Sequence, residues 1–126
     1  ENSLGMRFTT VYGPKAKPNM LIPKILRNDV QYINTNHKRD FIHIDDLMSA
    51  IDILMISKLK GVIDIGTGHS HQLTDIMNYF KIDCEKKIGS ENERLDNKAD
   101  ITTLNSLGWK PKINLYDYIK ENRNVN

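Results

Sequence analysis

An α/β fold with parallel strands is what this chain of 126 residues predicts, and three observations point to it. Strand-like and helix-like stretches alternate. The run Gly61-Val62-Ile63-Asp64-Ile65, short and mostly β-branched, ends in Gly66-Thr67-Gly68 and leads into a helix. Residues 46–58 carry one apolar stripe at three- and four-residue spacing, which has to face a core. Strands separated by helices of this length favour right-handed crossovers in a parallel sheet. The length suits one domain that buries about two thirds of its unfolded surface. Leu, Ile, Val and Phe make up 34 of the 126 residues, a share of 27% that excludes intrinsic disorder as the overall description.

The elements follow in order. Leu4 to Val11 reads as a strand. The loop Tyr12 to Asn19 holds Gly13, Pro14 and Pro18 and excludes regular structure. A short helix over residues 21–27 tolerates Pro23 because it falls in the first turn, and Asn28-Asp29 ends it. Val30 to Ile33 is a short strand and Asn34 to Lys38 a polar turn. Asp40 to Ile44 is a second strand, with Phe41 and His43 on one face and Ile42 and Ile44 on the other. The helix over 46–58 buries Leu47, Ala50, Ile51, Leu54 and Met55, with Asp45 as its cap. A helix from about Gln72 to Phe80, a strand near Lys86–Ile88, a polar loop to Asn97 and two short helices around 101–107 and 115–122 complete the chain. Nothing in it marks an internal boundary or repeat.

Charge and composition limit function. The 18 basic and 16 acidic side chains nearly cancel and are interspersed, so neither nucleic acid nor an anionic membrane surface is an expected partner. No apolar run approaches the ~18 residues of a membrane span, and Glu1–Leu4 does not read as a signal peptide. The single cysteine, Cys84, reads as a small hydrophobe in a reducing compartment, and the expected location is cytoplasmic.

Several motifs admit a chemical and a plain reading. Gly66-x-Gly68 between a strand and a helix, with Glu85 about twenty residues on, imitates part of a dinucleotide fingerprint. His71 stands at the third glycine position, which favours a plain glycine turn. Tyr116-x-x-x-Lys120 has the spacing of a lysine-activated tyrosine, but its place near the C-terminus favours a solvated helix. His69 and His71 lack a third ligand at a convincing spacing, so no metal is expected. Asp45-Asp46 fits capping and the helix dipole better than acid–base chemistry. Arg39, between a polar turn and a buried-looking strand, offers a fork of donors suited to a phosphate. Taken alone, an ion pair with Asp45 or Asp46 ranks ahead of that role.

The order of the pieces resembles the C-terminal part of the extended short-chain dehydrogenase/reductase family, the NAD-dependent nucleotide-sugar epimerases and dehydratases. The stretches that carry the resemblance are Met6–Pro14, ending Val-Tyr-Gly-Pro, the loop Lys17–Met20, Arg39–Asp46 with its Arg-Asp-Phe, Val62–Gly68, Ala99-Asp100, and Leu107–Pro111. It implies the C-terminal part of a doubly wound, Rossmann-like parallel sheet with a small substrate-binding subdomain. Residues 1–126 would be a single piece, the substrate-binding portion, without the N-terminal half that holds the glycine-rich cofactor loop and the catalytic Tyr-x-x-x-Lys. That half would be supplied in cis or in trans. The complete enzyme would oxidise a sugar hydroxyl with NAD or NADP, rework the keto sugar and return the hydride; this chain alone would bind no cofactor, hold no catalytic residue and be inactive. A free-standing nucleotide or nucleotide-sugar binding module is the alternative.

By the same resemblance Phe8 would lie beside the nicotinamide and Thr9 beside the sugar. Thr10 would touch the diphosphate, Met20 and Leu21 would present backbone to phosphate and ribose, Tyr32 would contact the base, Arg39 would bind the diphosphate and Glu93 the ribose hydroxyls. Ser90 stands where many members have a second arginine, with Arg94 as its stand-in. The helix after Met20 is shorter than in the family, and Lys17 is a candidate for a sugar carboxylate.

Overall fold

The computed structural model describes residues 3–90 and 93–123. In chain order its elements are β1 (Leu4–Phe8), β2 (Thr10–Tyr12), α1 (Leu21–Leu26), β3 (Tyr32–Asn34), β4 (Lys38–Arg39), β5 (Phe41–His43), α2 (Ile44–Ile56), β6 (Gly61–Ile65), β7 (His71–Gln72), α3 (Leu73–Phe80), β8 (Glu85–Lys87), α4 (Thr102–Ser106) and α5 (Leu115–Asn122). Three pairings are parallel, β1 with β6, β2 with β5 and β3 with β8; β4 and β7 pair antiparallel. The class is α/β, as the alternation of elements predicts.

The strand expected over Leu4 to Val11 is broken at Thr9, for a physical reason. Successive amides of an extended chain point to opposite edges. The Thr9 amide donates to the Ile65 carbonyl at the end of β6, and the Thr10 amide donates to the Asp40 carbonyl that leads into β5, each at 3.0 Å. The chain therefore passes from one partner strand to the other at Thr9, between the carboxyl ends of β1 and β6.

Two cores lie on either side of β5. Phe41 joins Tyr12, Ile22, Ile25, Ile33, Leu73, Ile76, Met77, Leu115 and Ile119, packing α1, α3 and α5 together. Ile42, its neighbour, joins Leu47, Ala50, Leu54, Ile65, Leu104 and Trp109 under α2 and α4. This is the alternation read from residues 41–44, with the edge of His43 meeting Tyr12 and Tyr118, and Ile44 packed on the second core. Cys84 sits half-buried against the first core, and burial pushes its thiol up.

Helix α2 corrects two expectations. It begins at Ile44, and its cap is His43, whose Nδ1 accepts from the Asp45 amide at 3.0 Å; Asp45 does not cap it. Met55, placed on the buried stripe, is 71% exposed, because the stripe closes on Leu47, Ala50 and Leu54 and turns Met55 away. Asn28 ends α1 in the left-handed conformation at φ 59°, which asparagine tolerates.

Candidate functional site

The carboxyl ends of parallel strands are where α/β sheets bind ligands, and Phe8 and Thr9 stand at such an end, that of β1. Phe8 ends β1 with its ring half exposed. Thr9, Thr10, Lys17 and Met20 line one cleft of about 530 Å³, floored by Val11, Tyr12 and Gly13. Leu21 follows Met20 as the first residue of α1. The Thr9 hydroxyl is buried and has no hydrogen-bond partner among the described residues. The Thr10 hydroxyl accepts from Asn97 Nδ2 at 3.0 Å, which leaves its own proton to donate.

Tyr32, Arg39 and Glu93 do not line that cleft. Tyr32 is half exposed, with the Lys87 ammonium 4.2 Å from its ring centre. The Arg39 guanidinium is held by neutral acceptors: Nη1 donates to the carbonyls of Lys38 at 2.7 Å and Leu95 at 3.3 Å, and Nη2 lies 3.3 Å from His37 Nδ1. Among the described residues it makes no salt bridge, and the ion pair with Asp45 or Asp46 is not formed. Asp46 is buried and accepts the amides of Lys112 and Ile113 at 3.0 Å, while the Asp45 carboxylate is exposed at the start of α2. Partial burial lowers the Arg39 pKa below its ordinary value, against the pull of Glu93 and Asp96, and an arginine remains charged there. Glu93 itself is exposed, 3.8 Å from His37 Nε2. Arg94, the stand-in for a second phosphate contact, donates instead to the Asp96 carbonyl at 3.0 Å.

Three residues of the site escaped the sequence reading. Asp40 is wholly buried, and its carboxylate accepts from the Thr67 amide and hydroxyl at 2.9 and 2.6 Å, the Gly68 amide at 2.9 Å and the Ala99 amide at 3.2 Å. Asn97 joins Asp40 to Thr10, accepting the Asp40 amide through Oδ1 at 2.7 Å while its Nδ2 donates to Thr10. His37 is the third. A buried-looking Asp beside an Arg was the only signal for Asp40, and the sequence spends that signal on the arginine.

Asp40 also answers the Gly66-x-Gly68 question. The turn amides that would cradle a pyrophosphate already donate to an internal carboxylate, and α3 starts only at Leu73, after β7. The turn is a closed structural clasp. A Cβ on Gly66 would come within 2.6 Å of Thr9 Cγ2, 2.7 Å of Asp40 Oδ2 and 2.8 Å of Ala99 Cβ. None of these can yield easily, so Gly66→Ala is expected to lower stability by roughly 1–3 kcal/mol, checked by urea denaturation; an unchanged midpoint would show that the clasp is loose.

The other motifs resolve as well. Tyr116 packs among His71, Tyr79 and Phe80, and burial raises its pKa. Lys120 lies instead over Tyr79, so the pair is not an activated tyrosine. His69 and His71 meet edge to face at 4.6 Å, and among the described residues no three His, Cys, Asp or Glu side chains converge to hold a metal. No helix among the described residues is long and apolar enough to cross a membrane.

Comparison with known proteins places this geometry. Residues 2–66 match the model of the NAD dependent epimerase/dehydratase family. A Methanocaldococcus jannaschii protein provisionally named a UDP-glucose 4-epimerase is 28% identical over 134 residues, covering 91% of this chain and 42% of that protein. The CDP-abequose synthase of Salmonella muenchen is 28% identical over 134 residues, covering 94% and 46%. The chain thus spans less than half the length of these relatives. Among solved structures, the UDP-glucose 4-epimerase of Thermotoga maritima with UDP-glucose superposes with a TM-score of 0.76 at 22% identity, over 94% of this chain and 44% of that one. The NAD-dependent NDP-hexosamine 5,6-dehydratase TunA superposes with a TM-score of 0.77 at 23% identity, over 93% and 42%. Both share the fold.

Proposed function

The chain belongs to the NAD dependent epimerase/dehydratase family, and from that premise we propose that it is the nucleotide-sugar-binding, C-terminal portion of an NAD- or NADP-dependent sugar-nucleotide epimerase or dehydratase. The N-terminal half, in cis or in trans, would carry the cofactor loop and the catalytic tyrosine and lysine. By itself the chain would not turn over a nucleotide sugar.

The observation that carries this reading is the state of Arg39. A charged guanidinium is braced by two carbonyls and an imidazole and makes no salt bridge among the described residues, although Glu93 and Asp96 act on it through space. A diphosphate satisfies such a group with charge-assisted bonds, and a planar fork suits its paired oxygens. In this reading Thr10 donates its free hydroxyl proton to the same diphosphate, and Thr9, with its unpartnered hydroxyl, faces the sugar. The amides at Met20 and Leu21 serve phosphate and ribose, Tyr32 lies against the base, and Glu93 accepts the ribose hydroxyls. Lys17, in the same cleft as Thr9 and Thr10, is placed to meet an acidic substituent on the sugar.

For the cofactor, the fit within this chain is limited to Phe8. Its exposed ring ends β1 and offers a flat face to a nicotinamide, whereas the Thr67 and Gly68 amides are occupied by Asp40 and are not open to a pyrophosphate. When bound, the cofactor supplies the hydride acceptor and donor. What this chain's own residues do is hold the nucleotide and set the sugar at the end of β1.

Calorimetric titration with UDP tests the reading. Arg39→Ala is expected to weaken binding by one to two powers of ten, from the roughly 1.5–3 kcal/mol of a hydrogen bond to a charged group at about 1.4 kcal/mol per decade. Arg39→Lys should recover only part, because an ammonium lacks the fork. If Arg39→Ala lowers the melting temperature and leaves affinity unchanged, Arg39 is a structural brace and the diphosphate assignment falls.

A further inference from the structure

We propose that His37 is a positioning residue that couples the two ends of the nucleotide grip, the Arg39 guanidinium and the Glu93 carboxylate. The inference rests on the diphosphate and ribose roles proposed above. His37 is 2% exposed, buried in the turn between β3 and β4. Its Nδ1 lies 3.3 Å from Arg39 Nη2 and 3.4 Å from Asn34 Nδ2. A guanidinium can only donate, so Nδ1 must be the acceptor, and the proton of the neutral ring sits on Nε2.

That Nε2–H is buried and has no partner among the described residues. A buried donor left unmade costs free energy that an acceptor recovers. The acceptor at hand is Glu93 Oε2, 3.8 Å away on an exposed side chain. A movement of under about 1 Å brings it to ordinary hydrogen-bond length.

The surroundings fix this approach. Gly89 presses directly on the imidazole: a Cβ there would run into Nε2, Cε1 and Cδ2 of His37, so the chain leading to Glu93 can dock only through glycine. The Gly89 amide donates to Asn36 Oδ1 at 2.9 Å, and Asn36 Nδ2 donates back to the Gly89 carbonyl at 3.4 Å. Arg39 reaches the same loop at the Leu95 carbonyl, 3.3 Å away. One imidazole thus braces the guanidinium through one nitrogen and faces the carboxylate with the other. A ribose that draws Glu93 inward closes the Nε2–H bond and, through the ring, stiffens Arg39 against the diphosphate.

The two ring nitrogens can be tested separately. An asparagine amide reaches the place of Nδ1, and a glutamine amide the place of Nε2. The probes are UDP and its 2′,3′-dideoxy analogue, titrated against the chain and its His37→Asn and His37→Gln variants. The unsubstituted chain is expected to prefer UDP by about tenfold, the size of one hydrogen bond to a charged group. In His37→Asn that preference should shrink to under about threefold while affinity for the dideoxy analogue stays within about twofold. In His37→Gln the preference should persist while both nucleotides bind about three- to tenfold more weakly, since Arg39 loses its acceptor. A purely structural histidine would lower the melting temperature of both variants and leave the preference unmoved, which overturns the proposal.

Should the variants not fold, ¹⁵N-labelled histidine in the unsubstituted chain decides it. Nε2 should bear the proton and shift with UDP more than with the dideoxy analogue. A proton on Nδ1, or an Nε2 signal indifferent to UDP, overturns the coupling. Absence of any UDP binding by the unsubstituted chain instead overturns the nucleotide-sugar reading itself.

Discussion

Replacement of Asp40 by alanine is expected to destabilise the fold by roughly 3–6 kcal/mol, a large share of the 5–15 kcal/mol that holds a domain together. The substitution removes the acceptor of the buried Ala99 amide and of the part-buried Thr67 and Gly68 amides, at about 1–3 kcal/mol for each unsatisfied donor and with incomplete additivity, while the Thr67 hydroxyl keeps the His69 carbonyl at 3.0 Å. Asp40→Asn is nearly isosteric and separates charge from volume. If its oxygen keeps the Thr67 contacts, its NH2 faces the Gly68 and Ala99 amides, donor against donor. We expect a loss of about 2–4 kcal/mol by urea denaturation. An Asp40→Asn variant as stable as the parent would mean that the clasp is not what binds β6 to the loop at Ala99.

The second large effect is expected at Trp109. Its side chain is buried between α2 and α4 with Leu47, Ala50, Leu54 and Leu104, and its Nε1 donates to Ser49 Oγ at 2.9 Å. Trp109→Ala should cost about 3–5 kcal/mol, because the indole volume becomes a cavity that flanking helices cannot fill. Trp109→Phe should cost less, since the ring retains part of the packing and gives up the hydrogen bond. Ser49→Ala, which leaves the indole N–H without an acceptor, should cost about 1–3 kcal/mol. Thermal unfolding of the three variants orders these terms; equal losses in Trp109→Phe and Trp109→Ala would assign the stabilisation to the hydrogen bond.

Both predictions concern long-range contacts, and that is the dividing line between what could be read in the chain and what could not. The α/β class, the strand at Gly61–Ile65, the helix at Leu115–Asn122 and the opposite faces of Phe41 and Ile42 were legible, because each is a local period of two or 3.6 residues written in apolar side chains. The order of short motifs likewise pointed to the family. It also named residues that the fold brings together, with Thr9, Thr10, Lys17 and Met20 around one cleft. Local pattern set the elements, but it could not say which polar groups the elements bury against one another. A carboxylate reads as exposed unless its partners are known, and those of Asp40 lie 27, 28 and 59 residues along the chain. His43 displaced Asp45 as the cap of α2 because Asp45 supplies the amide that is capped. Asp46 accepts two amides of the segment before α5 and makes no ion pair with Arg39, whose guanidinium donates to the Lys38 and Leu95 carbonyls instead. Tertiary structure alone decided these pairings, since a buried donor or acceptor takes whichever partner the packing brings within about 3 Å, and sequence distance does not enter that choice.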